Sequence, residues 1–191
     1  MVPDPRLHLT KSMGIFTPST VALGLLTLCS AYPTTNTLSA TEFTLTLNAP
    51  TYPALPLIAI PQSGPSSGYS LVFDPSFIQP GTPASIDNTY LDFNINGSSY
   101  SMHYGDPGEV QGLALLVTAE KGHVGGTPGM RVGSGDLGPP MTSADQSFFV
   151  CNRTIDNAQR LALNFGVFNA NGTAPYDCVV ASLEQNFDVA A

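Results

Sequence analysis

Beyond residue 41, apolar and polar residues recur with a period of two, and the spacing of an amphipathic helix is nearly absent. Between residues 42 and 48, Phe43, Leu45 and Leu47 alternate with Thr44 and Thr46, the pattern of a half-buried strand. Residues 90–95 and 98–104 flank Asn96-Gly97, a dipeptide suited to the positive φ angles of a two-residue hairpin turn. Such a turn sets Phe93 opposite Tyr100 and Leu91 opposite Met102 on one face. It sets Asp92 opposite Ser101 and Asn94 opposite Ser99 on the other. The apolar faces coincide, so the register is self-consistent.

Residues 55–60, 69–73, 112–118, 147–151, 161–167 and 178–183 read as further strands. Pro- and Gly-rich stretches at 61–68, 74–83 and 122–140 stand between them, where they break helices and demand turns. The expected fold is all-β, a single antiparallel β-sandwich or irregular β-barrel over residues 42–191. No repeat of fixed period is visible, and residues 32–41 read as a loose leader.

The opening segment follows another pattern. Residues 15–31 are mostly apolar, with Arg6 and Lys11 upstream and Cys29-Ser30-Ala31 at the end, the layout of a cleaved secretory signal over residues 1–31. The run is shorter than the roughly 20 apolar residues that span a bilayer and is interrupted by Thr17, Pro18, Ser19 and Thr20. Met13 offers a second start, since the Pro-containing residues 1–12 are an odd preface to a compact signal. Myristoylation at Gly14 would want Ser or Thr where Pro18 stands, and residues 186–191 offer no hydrophobic tail for a lipid anchor. The expected location is therefore secreted, in the extracellular space or the cell wall.

Removing residues 1–31 leaves 160 of the 191, enough for one domain with a genuine core. The formal net charge of −8 repels phosphate backbones and anionic lipids, so neither nucleic acid nor membrane is an expected partner of the mature form. Of the three cysteines, Cys29 leaves with the signal, and the remaining pair, Cys151 and Cys178, is expected to bridge in an oxidising compartment. Three sequons fit that compartment, Asn96-Gly97-Ser98, Asn152-Arg153-Thr154 and Asn171-Gly172-Thr173, and make Asn96, Asn152 and Asn171 glycosylation candidates.

No group of residues declares a reaction. Residues 64–68 match a hydrolase nucleophile elbow around Ser66, but Tyr69 to Phe73 read as a strand where that motif needs a helix. Residues 133–138 match the dinucleotide fingerprint, yet Pro139-Pro140 stops the required helix, so a surface loop is expected. His103, Asp106, Glu109 and His123 match no metal-ligand spacing, and Asp106-Pro107-Gly108 is turn chemistry in its own right. A cleft of Asp92, Asp106 and Glu109 would suit glycoside hydrolysis only at a carboxylate separation that sequence does not specify. Neither catalytic residues nor a metal nor a cofactor are expected. Sugar-binding modules stack pyranose rings on aromatic platforms; the chain has no tryptophan, leaving tyrosines 69, 90, 100, 104 and 176 as candidates.

Phe148-Phe149-Val150-Cys151-Asn152, then residues 161–167, then Asp177-Cys178-Val179-Val180-Ala181-Ser182-Leu183 resemble a family of fungal secreted proteins, the PhiA-like cell-wall proteins. The resemblance covers roughly the last 45 residues, plus the Phe43-Thr44-Leu45 strand and the Asn96-Gly97 hairpin. Where the family often has an aromatic residue in the strand after the first cysteine, this chain has Leu161 and Leu163. The resemblance implies a non-enzymatic extracellular or cell-wall structural protein of filamentous fungi. Its partners would be wall polysaccharide or other matrix components, with a carbohydrate-binding or host-interacting module as the alternative.

Overall fold

The computed structural model describes residues 41–63, 68–76, 80–123, 126–132, 136–139 and 143–188. The expected signal segment 1–31, the expected leader up to residue 40 and Ser66 lie outside the described residues. All described residues belong to one unit, Leu38–Ala191.

Among the described residues there is no helix, and the chain runs through thirteen strands. They are β1 (Thr44–Asn48), β2 (Leu57–Pro61), β3 (Tyr69–Phe73), β4 (Ala84–Asp87), β5 (Tyr90–Ile95), β6 (Ser98–His103) and β7 (Ala114–Leu116). Then follow β8 (Thr118–Lys121), β9 (Arg131–Val132), β10 (Asp136–Gly138), β11 (Gln146–Ile155), β12 (Ala158–Val167) and β13 (Cys178–Asn186). Neighbouring strands pair in the order β4-β5-β6-β8-β3-β12-β11-β13, and β1 continues from β13. The ring closes where Phe43 and Ala84 exchange backbone hydrogen bonds of 2.9 and 2.7 Å. The expected all-β antiparallel fold is thus realised as a sheet nearly closed into a barrel, which leaves few open strand edges.

The interior follows from alternation. Leu45, Leu47, Leu71, Phe73, Leu91, Phe93, Met102, Phe148, Val150 and Leu163 point inward and are almost wholly buried. Tyr104 and Phe165 join Phe148 in a cluster of tilted and edge-on rings. A smaller apolar cluster of Ile58, Val72, Ile155 and Ala162 forms where β2, β3, β11 and β12 adjoin.

The hairpin register around Asn96-Gly97 is the expected one, with Phe93 opposite Tyr100, Asn94 opposite Ser99 and Asp92 opposite Ser101. Asn96 and Gly97 take φ angles of 53° and 75°, as a two-residue turn of this kind requires. The 112–118 segment is instead two short strands. Val117 between them donates to Leu163 O at 2.9 Å, so β7 stays on β12 while β8 moves across to β3 and β6. The 55–60 strand begins two residues later, at Leu57. The expected loop at 133–138 holds strand β10, whose Leu137 is fully buried opposite Leu183.

Cys151 and Cys178 are disulfide-bonded, and they stand directly opposite each other in the β11–β13 ladder. The first half of β13 pairs with β11, and its second half lies between β1 and β10. The covalent link therefore fastens the strand that carries the barrel closure.

Candidate functional site

Strands β5 and β6 send Leu91, Phe93 and Met102 into the core, which leaves Asp92 and Ser101 on the outer face. The sequence pattern assigns that face to solvent, yet Asp92 is 7% and Ser101 0% exposed. The chain after β8 covers them. Gly122 pairs with Tyr100, donating its N–H to Ser99 O, and the backbone then passes so close that a Cβ at Gly126 would meet Ser101 Cβ at 2.6 Å. Thr127 anchors the far end by donating its N–H to Met102 O at 2.9 Å.

This crossing segment lays the His123 ring on Tyr90, with centroids 4.6 Å apart and planes 7° apart. His123 Nε2 lies 2.6 Å from Asp92 Oδ2, while Ser101 Oγ donates to Asp92 Oδ1 at 2.5 Å. Asp87 at the end of β4 places Oδ2 3.9 Å from the same nitrogen. The Asp92 hydrogen bond raises the His123 pKa above its ordinary value; partial burial opposes this, and the charges of Asp92 and Asp87 add to it.

The order of these contacts determines what they can do. In a serine hydrolase the imidazole stands between serine and carboxylate and takes the hydroxyl proton. Here the carboxylate stands between, so the Ser101 hydroxyl donates to Asp92 and the His123 imidazole bonds Asp92 rather than Ser101 Oγ. Ser101 is also shielded from any substrate. The arrangement holds charge and positions an imidazole, in an order different from that of a serine hydrolase.

Asp87, Asp92 and His123 are, among the described residues, the one set of His, Cys, Asp or Glu groups close enough to hold a metal ion. The grouping imagined around His103, Asp106, Glu109 and His123 does not form. Asp106 caps its own turn by accepting the Gly108 N–H at 2.8 Å, Glu109 is exposed, and His103 sits half-buried on β6 with an unpartnered Nδ1. Of the carboxylates proposed for a hydrolytic cleft, Asp92 is buried against Ser101 and His123, whereas Asp106 and Glu109 are exposed in the turn after β6. His123 and Asp92 are singled out by sequence, but Asp87 is not, because β4 is too short to show a period.

A polar groove of about 250 Å³ runs beside Asp92, lined by Glu42, Ser85, Asn94, Ser98 and Ser99, with Asn94 Nδ2 donating to Glu42 Oε1 at 2.9 Å. A second groove, of about 350 Å³, contains Asn152 and the Asp74–Arg160 ion pair, 3.3 Å long. The Ser76 hydroxyl and N–H, with Arg160 adding less, hold the Asp74 carboxyl below its usual range. The tyrosines form no platform. Tyr69 and Tyr100 meet edge-on at 76°, Tyr90 is covered by His123, Tyr104 is buried, and Tyr176 alone of the five stands out, 88% exposed. All three sequon asparagines, Asn96, Asn152 and Asn171, are exposed.

Fold and site together define an antiparallel sheet nearly closed into a barrel, with the Cys151–Cys178 disulfide and, among the described residues, one His–Asp cluster on its outer face. Comparison with protein-family models, curated proteins and solved structures finds no match to this chain.

Proposed function

We propose that the chain is a secreted, glycosylated structural protein of the fungal extracellular space or cell wall, without catalytic activity. The observation that carries this reading is the hydrogen-bond order Ser101–Asp92–His123 in the chain's only metal-sized polar cluster among the described residues, which differs from the order of a serine hydrolase. The barrel interior is filled with Leu and Phe side chains, which supports a module that presents its surface rather than encloses a substrate. The Cys151–Cys178 bond and three exposed sequons support an oxidising, glycosylating route of synthesis. Kinship with the PhiA-like wall proteins belongs to the same proposal and rests on the cysteine-bearing strands β11 and β13.

Protein recovered from the medium of a filamentous-fungal host is expected to sediment with insoluble wall polysaccharide and to turn over none of a panel of glycoside, ester and peptide substrates. Turnover that disappears in Asp92→Asn overturns the non-catalytic reading. The carbohydrate-binding alternative is favoured by one observation, the polar groove of Glu42, Ser85, Asn94 and Ser99. It predicts saturable binding of soluble oligosaccharides, competed by none of the matrix proteins and weakened by Asn94→Ala.

A further inference from the structure

We propose that Asp87, Asp92 and His123 bind one divalent cation of the zinc class on the outer face of β4, β5 and β6. One ligand atom from each residue lies within 4.8 Å of the other two. The two carboxylates are prepared in the same way. Asp92 Oδ1 is held by the Ser101 hydroxyl and Asp87 Oδ1 by the Asn88 amide at 2.9 Å, and in both the other oxygen, Oδ2, faces His123 Nε2. Outer contacts of this kind orient ligands around protein-bound metals. The stack on Tyr90 fixes the plane of the imidazole, so the nitrogen lone pair has one direction once its proton is displaced.

The distances fit a small ion. Tetrahedral zinc with ligands at about 2.0–2.2 Å keeps them about 3.3 Å from one another. Nε2 and Asp92 Oδ2, now 2.6 Å apart, then spread by less than ~1 Å, and Asp87 Oδ2, now 3.9 Å from Nε2, closes by a similar amount. The donor set points the same way: calcium and magnesium take oxygen ligands, whereas an imidazole with carboxylates suits zinc and its neighbours. Two carboxylates also match the charge of a divalent ion. Three protein ligands leave a fourth position for water on the side where His123 and Asp87 are exposed.

A plain hydrogen-bond clamp between the crossing segment and the barrel needs only Asp92 and His123. Asp87 distinguishes the two cases, because its exposed carboxylate adds little to a clamp and is a full ligand to a metal.

Isothermal titration calorimetry of the full, disulfide-bonded chain with zinc sulfate, after stripping with a chelator, tests this. One saturable site per chain is expected, weakened about tenfold or more by Asp87→Asn and lost in His123→Ala, with Asp106→Asn unchanged. Asp87 is exposed, so Asp87→Asn folds and remains informative even where His123→Ala is unstable. Absence of saturable zinc binding, or equal affinity in the wild type and Asp87→Asn, overturns the proposal. Either result leaves the structural role above untouched, since that reading needs no metal.

Discussion

Replacing Cys151 and Cys178 together by serine is expected to lower the free energy of unfolding by about 3.5 kcal/mol, the chain-entropy value for a loop of this length. The two residues are separated by 27 positions, and that span contains all of β12 and the turn that returns the chain to β13. Without the bond, β13 is held only by its ladders, although it carries β1, β10 and through β1 the Phe43–Ala84 closure. Loosening it therefore propagates around the barrel. Urea denaturation of the double variant should show a lower midpoint and a slope no smaller than that of the wild type, because loss of the cross-link expands the unfolded chain. A loss under about 1 kcal/mol would mean that packing of Phe148, Val150 and Ala181 alone holds the β11–β13 register.

Gly166→Ala is expected to cost about 3 kcal/mol, at the upper end of what overpacking one methyl group does. A Cβ at this position would lie 2.1 Å from Leu113 O and 2.7 Å from Ala114 Cα. Both are backbone atoms, so no side chain can rotate away, and β7 must separate from β12. Its pairing of Gly166 with Ala114 and Phe165 with Leu115 is lost first, and the Val117 N–H bond to Leu163 O follows. Amide hydrogen exchange should show Leu115 and Val117 opening while the β5–β6 hairpin stays protected. Gly138→Ala is the control. A Cβ there meets nothing within 4 Å, and less than about 0.5 kcal/mol of change is expected.

The β5–β6 hairpin was legible in sequence because its turn and its alternation agree: Asn96-Gly97 supplies the positive φ values, and both strands put apolar residues on one face. The β11–β12 hairpin carries a weaker form of the same signal. Asp156 and Asn157, at φ 51° and 62°, make its turn, and residues that tolerate this conformation less readily than Gly gave no cue to how far the strands extend on either side. Strands β4, β9 and β10 hold too few residues for any period and exist because longer neighbours offer them an edge. Parity identified the cysteine pair, since the expected loss of Cys29 with the signal leaves Cys151 and Cys178 only each other.

The outer-face cluster was half legible. His123 and Asp92 stand out as residue types, but they meet only because Gly122 bridges to Tyr100 and sets the crossing of the next segment. Asp87 joins them through the β4–β5 turn, where Asn88 and Thr89 both take positive φ angles, 52° and 91°. A β-branched residue in that conformation is not an expectation that composition supports. The burial of Ser101 was hidden for the same reason, since the cover over it comes from a glycine at position 126 and not from a side chain.

Intact-mass and thiol analysis of the natural protein, recovered from its own cells and medium, tests the account most directly. The account predicts a medium or wall fraction whose chain begins at Tyr32, carries no free thiol, and loses mass on enzymatic removal of N-linked glycans. A cytosolic product that retains residues 1–31 and has Cys151 and Cys178 reduced would contradict it.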